Sequence, residues 1–244
     1  MRGPTLKGLV TGAAQGIGEA VARHLVATTG AEVALADIQF GKVSQVATSI
    51  GMRAYAVDIA SKNSSESTAS AVAKDLGAID FLVNVAGIDA QFVSPTAIDD
   101  EHWHRMIDVN LTGTWNMTKA CLPVMIAQGA ARIVNISSIC GVVPTPGVSA
   151  AYAAAKAGII GLTMSLATEL EGEGILVNAI APGATGSTGQ PMTETQAQHY
   201  RDAQALGFGG PQPIAHAVEY LLGAGGDWLS GTVLNVSGGF WRGR

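Results

Sequence analysis

The sequence predicts a doubly wound α/β fold, a parallel sheet with helices on both faces, and three observations predict it. Short apolar runs rich in β-branched residues alternate with longer Ala-rich segments of helical period, from Leu9 almost to the C-terminus. The short runs are apolar nearly throughout, the pattern of strands covered on both faces. A glycine-rich turn follows the first run and opens the first helix.

Residues 9–10 read as the first strand, followed by a helix over about 16–28. Strands follow at 32–36 and 53–57. The run 81–85 is another strand, and Gly77 before it reads as a helix-ending glycine. Runs 132–136, 176–180 and 232–236 complete the series. The apolar stretch 150–170 is long, yet it carries Lys156 and Glu169 and is dense in Ala and Gly, so it reads as a buried helix with a polar task rather than a membrane span. Residues 182–213 are the least regular, rich in Gly, Thr and Gln. They are expected to form a substrate flap at about 183–212, with a short helix around 194–206.

A chain of 244 residues suits one α/β domain spanning 1–244. With 48% hydrophobic and 14% charged residues, it can bury a large core. The net charge of −5 and scattered Lys and Arg offer no footprint for a phosphate backbone, so nucleic acid is not an expected partner. Residues 1–7 are too short and polar for a signal peptide, and no membrane association is expected. Cys121 and Cys140 lack metal-ligand spacing; reduced thiols and a cytoplasmic location are expected. His102 and His104 flank Trp103, but no acid or Cys completes a ligand set. They read as a solvated helix start, and no metal is expected.

The turn Thr11-Gly12-Ala13-Ala14-Gln15-Gly16-Ile17-Gly18 joins a strand to a helix. Gly12 suits a tight turn, Gly16 a close backbone approach to a pyrophosphate, and Gly18 close helix packing. The helix N-terminus offers free N–H groups and positive dipole to phosphates. Asp37, at the next strand end, can accept both hydroxyls of an adenosine ribose. No Arg or Lys stands at Ala14, Gln15 or Ile38 to bind a 2′-phosphate, so NAD is favoured over NADP. Asp58 ends the third strand, next to Ile59, where it can accept from an adenine amino group or serve as a helix cap.

Tyr152-Ala153-Ala154-Ala155-Lys156 puts a phenol and an ammonium one helical turn apart on the same face. A phenol titrates near ~10, too high for an efficient base at neutral pH, and a nearby Lys⁺ is expected to lower it. Asn135-Ile136-Ser137-Ser138 ends a strand in hydroxyls; Ser138 can hold a substrate oxygen beside Tyr152, while Ser137 caps the turn. Asn84-Val85-Ala86-Gly87 ends another strand in a small-residue turn that lets backbone approach a cofactor. Asn110 lies inside a helical segment beginning at Met106, where Asn readily interrupts a helix and can orient a water or backbone group.

Together, residues 11–18, Asn84 to Gly87, Asn110, Ser138, Tyr152 with Lys156, and Pro182-Gly183 resemble the short-chain dehydrogenase/reductase family, over about residues 6–239. The resemblance implies a seven-stranded Rossmann fold and a catalytic set of Asn110, Ser138, Tyr152 and Lys156. Tyr152 would exchange the proton on the substrate oxygen and Ser138 would place that oxygen. Lys156 would bind the nicotinamide ribose and lower the Tyr152 pKa, and Asn110 would anchor a water relay. The expected dinucleotide contacts are Gly12, Gln15, Gly16, Ile17, Gly18, Asp37, Ile38, Asp58, Ile59, Asn84, Ala86, Gly87, Tyr152, Lys156, Pro182, Gly183, Thr185 and Ser187. A homotetramer built from the helices flanking the Ser138 strand is also implied.

Three departures stand out. Val85 replaces a usual Asn or Ala, Ala184-Thr185-Gly186-Ser187 replaces the usual run after Pro-Gly, and Ser237 stands where an Asp is typical. Cys140, two residues after Ser138, reads as a small buried residue. Gln91, Phe92, Val142, Val143, Pro144, Val148 and Met192 are expected to face the substrate. This apolar lining suits a neutral secondary alcohol or ketone. The alternatives are an NADPH-dependent 3-oxoacyl-carrier-protein ketoreductase and a non-catalytic dinucleotide-binding sensor.

Overall fold

The computed structural model describes residues 5–89, 93–145, 147–186 and 193–243. Its strands are β1 (Lys7–Thr11), β2 (Glu32–Asp37), β3 (Arg53–Ala56), β4 (Phe81–Asn84), β5 (Ala131–Ile136), β6 (Ile175–Pro182) and β7 (Val233–Val236). The helices are α1 (Gly16–Thr29), α2 (Phe40–Ser49), α3 (Lys62–Leu76), α4 (Asp100–Ile107), α5 (Gly113–Gln128), α6 (Ala150–Leu170), α7 (Glu194–Ala203) and α8 (Gln212–Leu222). All seven strands form one parallel sheet in the order β3-β2-β1-β4-β5-β6-β7. The chain winds outward from β1 to β3, then returns to β4 and winds the other way. Strand order therefore reverses between β1 and β4, where the carboxyl ends open a crevice.

Side-chain alternation along the strands builds two cores. Val10, Val33, Leu35, Phe81 and Val83 face α1, α2 and α8. Leu9, Ala34, Ala36 and Leu82 face the opposite way, onto α3, α5 and α6. The expectation of strands buried on both faces holds for β1, β2, β4, β5 and β6. It fails at β3 and β7, which are only partly buried because each edge strand has a neighbour on one side only. Gly77 ends α3 in the left-handed region with φ 76°, its N–H donating to the Ala73 carbonyl, as expected of a terminating glycine.

Residues Ala150–Glu173 are long and apolar enough to cross a membrane by length and composition. One face of α6 is nonetheless buried through Ala151, Ala155, Lys156, Ile159 and Thr163. The opposite face, with Ala154, Ala157, Gly161 and Met164, is exposed, so the helix read as buried with a polar task is buried on the one face that carries Lys156.

Asn110 interrupts its helix as expected, and the interruption is one π turn, Asp108–Thr112, between α4 and α5. The first turn of α4 is capped by Asp99, whose carboxylate accepts the His102 N–H at 2.7 Å. His102 is not a solvated residue: its ring lies 3.0 Å from the Ser149 hydroxyl and is partly buried. That contact, across 47 residues, is what the local pattern could not contain.

The turn after β1 tolerates only glycine at two points. A Cβ on Gly18 would lie 2.1 Å from the Gly12 carbonyl oxygen, and one on Gly12, at φ 67°, would lie 2.7 Å from the Ala86 backbone. Gly18→Ala is therefore expected to cost about 3 kcal/mol or more of unfolding free energy, the upper range for overpacking. Urea denaturation followed by circular dichroism measures it.

Candidate active site

Parallel strands deliver their carboxyl ends to one edge, so the turns after β1, β2, β4, β5 and β6 line one cleft. The Thr11 hydroxyl accepts the N–H groups of Val85 and Ala86 at 3.1 and 3.2 Å and ties two of these turns together. At the head of α1, Gln15 occupies the N-cap position without a side-chain cap, so the first-turn N–H groups of α1 receive no bond from it. By contrast, Ser61 caps α3 and Asp99 caps α4. Uncapped N–H groups above a glycine turn suit an anion such as a pyrophosphate.

Asp37 is buried at the end of β2, and two backbone donors fix its carboxylate. Ala14 N–H reaches one oxygen at 3.0 Å and Gln39 N–H the other at 2.8 Å. Ile38 beside it is exposed. Asp58 is exposed and accepts from Ala60 N–H at 3.0 Å, while Ser61, not Asp58, caps α3. The Ile59 side chain is buried against Gly113 at the start of α5, and its carbonyl accepts from the Asn116 amide at 2.9 Å.

Asn84 is buried at the end of β4. Its amide nitrogen donates to Thr118 at 3.0 Å and to Asn135 at 2.9 Å, and Asn135 in turn donates to Thr163 at 3.0 Å. The amide nitrogen is thus engaged in a buried polar chain between the sheet and helices α5 and α6, while the buried Oδ1 has no partner among the described residues. Gly87 must stay small, because a Cβ there would lie 2.6 Å from the Asn110 carboxamide oxygen and 3.7 Å from Lys156 Nζ. That Asn110 oxygen accepts the Ile88 N–H at 3.1 Å, and its amide donates to the Met106 carbonyl at 3.1 Å. Asn110 therefore ties the turn after β4 to the last turn of α4.

Ser138, Tyr152 and Lys156 meet where β5 ends and α6 begins. The Ser137 hydroxyl donates to the Lys156 carbonyl at 2.7 Å, and Lys156 Nζ donates to the Ile136 carbonyl at 3.0 Å, clamping α6 to the strand end. Lys156 Nζ lies 5.7 Å from the Tyr152 ring centroid. The Tyr152 hydroxyl hydrogen-bonds Ser138, while Ser138 Oγ also accepts from Cys140 N–H at 3.2 Å.

The electrostatics reverse one expectation. Desolvation raises the Tyr152 pKa well above that of an ordinary phenol, and the Asp89 and Cys140 charges add to it; only the Ser138 hydrogen bond opposes them. Lys156 is itself shifted, in the opposite direction. Burial brings the Lys156 ammonium down to about 8, with Asp89 and Cys140 acting against that shift. Within this pocket Tyr152 is held as a neutral phenol.

After β6, Pro182 and Thr185 are buried, and Ser187 lies outside the described residues, as do Gln91, Phe92 and Met192. Gln204, which the sequence did not single out, is buried and grips this segment. It accepts Ala184 N–H at 2.6 Å and donates to the Ala184 and Gly207 carbonyls at 3.1 and 3.0 Å. Asp89 and Tyr200 of α7 were also missed. Burial pushes Tyr200 up to about 12, helped by the Cys140 and Asp89 charges, which places α7 beside the cleft.

Val142, Val143, Pro144 and Val148 share a cavity of about 360 Å³ with Cys140, Ala153, Ala154 and Ala157. None of Ser138, Tyr152 or Lys156 lines it, so it adjoins the reacting groups on the next face of α6 rather than enclosing them. Cys140 is half-buried there, not fully buried as expected; Cys121 is the buried thiol, pushed up to about 12 by desolvation. Ser237 is buried and accepts the Trp241 N–H at 3.2 Å, while Asn235 donates to the Trp241 carbonyl at 2.6 Å, so the terminal segment is tied to β7 through its backbone.

The short chain dehydrogenase family model matches residues 8–199. The chain belongs to that family. It is 36% identical over 237 residues to the 3-oxoacyl-[acyl-carrier-protein] reductase FabG of Vibrio harveyi, covering 96% of each chain. It is 37% identical over 243 residues to the enzyme of that name from Thermotoga maritima, covering 95% of this chain and 96% of the relative. The crystal structure of gox2181 superimposes with a TM-score of 0.91 at 28% identity, covering 98% of this chain and 96% of that one. The family is one of oxidoreductases that bind a nicotinamide dinucleotide, and the chain is an enzyme of that class.

The Lys156 shift carries a stability signature. Between about 8 and the ordinary lysine value of 10.5, the unfolded chain binds the Lys156 proton and the folded chain does not. Stability from this group therefore rises with pH across that window and is flat below it, with a slope of up to ~1.4 kcal/mol per pH unit. In urea melts, Lys156→Met is expected to hold its largest relative advantage below pH 8. Wild type should close the gap as pH rises; a constant gap contradicts the depressed value.

Proposed function

We propose that this protein transfers a hydride between NAD(H) and a neutral secondary alcohol or ketone, with Tyr152 as acid/base. The observation that carries the cofactor choice is Asp37, a buried carboxylate held by the Ala14 and Gln39 N–H groups at the end of β2. A fixed negative charge there accepts ribose hydroxyls and repels a 2′-phosphate. The uncapped head of α1 fits the pyrophosphate, and the Ala86-Gly87 and Pro182-Gly183 turns stand at the carboxyl ends of β4 and β6, where the nicotinamide half would lie. When bound, the dinucleotide supplies or accepts the hydride.

The residues divide the remaining work. Ser138 holds the substrate oxygen, and Tyr152 exchanges a proton with it. The protonated phenol favoured by burial suits donation to a carbonyl oxygen. Lys156, anchored on the Ile136 carbonyl, presents its ammonium to the nicotinamide ribose, and Asn110 holds the backbone from which a proton relay runs. Ile17, Thr185 and Ser187 complete the dinucleotide contacts, with Asp58 at the adenine end.

The chain works as one unit, with residues 183–212 as a flap over the substrate. The apolar lining at Val142, Val143, Pro144 and Val148 carries no Lys or Arg, which supports a neutral substrate. The exposed small-residue face of α6, with Ala154, Ala157, Gly161 and Met164, supports a homotetramer that covers it. Two free cysteines support a cytoplasmic location. A second reading, reduction of 3-oxoacyl-carrier-protein substrates with NADPH, is favoured by the names of the full-length relatives.

The two readings separate on cofactor kinetics. With a panel of secondary alcohols, ketones and 3-oxoacyl thioesters, kcat/KM is expected to favour NAD(H), and Asp37→Ala to narrow that preference by about tenfold or more, at ~1.4 kcal/mol per decade. A wild-type preference for NADPH would instead support the second reading. Tyr152→Phe is expected to lower kcat by ~10²–10⁴-fold, the usual range for losing an acid/base group, while NADH binding persists by fluorescence titration. Intact turnover in that variant would remove Tyr152 from the mechanism.

A further inference from the structure

Helices α1 and α8 come from opposite ends of the chain and pack side by side on one face of the sheet. Val21, Ala22 and Leu25 of α1 share a core with Ile214, Val218 and Leu221 of α8. Beyond that apolar seam, three metal-ligating side chains converge. His216 and Glu219 stand three residues apart on α8, hence on one face, and His24 faces them from α1. His24 Nε2 lies 2.5 Å from a Glu219 carboxylate oxygen. The His24 and His216 rings meet edge to face with centroids 4.4 Å apart. One ligand atom from each residue falls within 4.8 Å of the other two.

We propose that His24, His216 and Glu219 form a binding site for one borderline transition-metal dication, Zn²⁺ being the type, which clips α1 to α8. A tetrahedral ion with bonds of about 2.0–2.2 Å holds its ligand atoms about 3.3 Å apart. The His24–Glu219 pair parts slightly to reach that spacing, and the exposed His216 swings inward; a water takes the fourth position. Two imidazoles and one carboxylate select Zn²⁺, Cu²⁺, Ni²⁺ or Co²⁺ over Ca²⁺ and Mg²⁺, which require oxygen ligands. Side-chain exposures of 15% for His24 and 36% for Glu219 leave the ion a path from solvent. The adjacent Arg23 is paired with Glu19 at 2.8 Å on its own helix, so its charge is engaged there rather than with Glu219. The site shares no residue with the cleft.

Sequence spacing could not reveal this trio, since His24 and Glu219 are 195 residues apart. The bound ion acts on the seam: it fastens α1, whose N-terminus forms the glycine turn, to the helix that follows residues 193–210.

The test uses the full chain, stripped with chelator and desalted, titrated with Zn²⁺ by calorimetry and with Co²⁺ by visible absorption. One ion per chain is expected, with Co²⁺ bands of low coordination number and no thiolate charge-transfer band. Thermal unfolding should shift upward with added Zn²⁺. His216→Ala, at an exposed position that leaves the seam packed, is expected to weaken binding at least ~10-fold and abolish the thermal shift. Glu219→Gln should do the same, whereas His102→Ala/His104→Ala and Cys140→Ser should bind like wild type. The proposal is overturned if wild type shows no saturable binding at millimolar Zn²⁺, if His216→Ala retains full affinity, or if Cys140→Ser loses it.

Discussion

The structure depends on how closely two backbones approach at the point where strand order reverses. β1 and β4 are neighbours in the sheet, yet their connections leave in opposite directions, and the turns beyond them must touch for the cleft to have a floor. Gly12 presses on Ala86, Gly18 on the Gly12 carbonyl, and the Thr11 hydroxyl takes both N–H groups of the β4 turn. Those contacts aim the head of α1 into the cleft and bring the Ala14 N–H onto the Asp37 carboxylate. A methyl group at either glycine would separate the turns, and the anion site and the ribose acceptor would lose their common frame.

A second constraint follows from placing charged chemistry at the rim of an apolar sheet. The ends of β4 and β5 carry Asn84 and Asn135, whose carboxamides link Thr118 of α5 to Thr163 of α6 beneath the cleft. Hydrogen-bonded polar groups tolerate burial that free ones do not. The chain fixes the register of both helices against the strands that carry Ser138 and the Ala86-Gly87 turn. The Ser137 and Lys156 bonds repeat the device one layer higher, where α6 is held by both its carbonyl and its ammonium.

Much of this was legible because it is local. The strands lie within one or two residues of their expected limits, since a run of apolar β-branched residues bounded by turns is a property of neighbouring residues. The same holds for the Gly12–Gly18 turn, Asp37 at a strand end, and the Tyr152–Lys156 pair one helical turn apart. What was missed is non-local. Gln204 matters because it reaches back 20 residues to Ala184, and Asp89 and Tyr200 matter because α7 approaches the turn after β4. His102 and Asn84 likewise meet partners distant in sequence, Ser149 for the one and Thr118 and Asn135 for the other. The shift of Tyr152 was misjudged for a related reason: proximity to Lys156 is visible in the spacing, whereas the depth at which both groups lie is not.

That depth gives the site its character. A lysine brought down to about 8 and a phenol held neutral are both destabilised as ions, so burial resists charge on either member of the pair. Asp89 at the mouth works against the lysine shift and reinforces the tyrosine one, favouring ammonium and phenol over amine and phenolate. The fold thus sets the pair in the protonation state that donates, at the cost of burying a cation whose Nζ donates to the Ile136 carbonyl. Loss of the phenolic proton requires added positive charge or added hydrogen bonds at Tyr152, and Ser138 already acts in that direction. Its hydroxyl touches Tyr152 while accepting from Cys140 N–H, so the turn that orients Ser138 also sets how readily the tyrosine ionises.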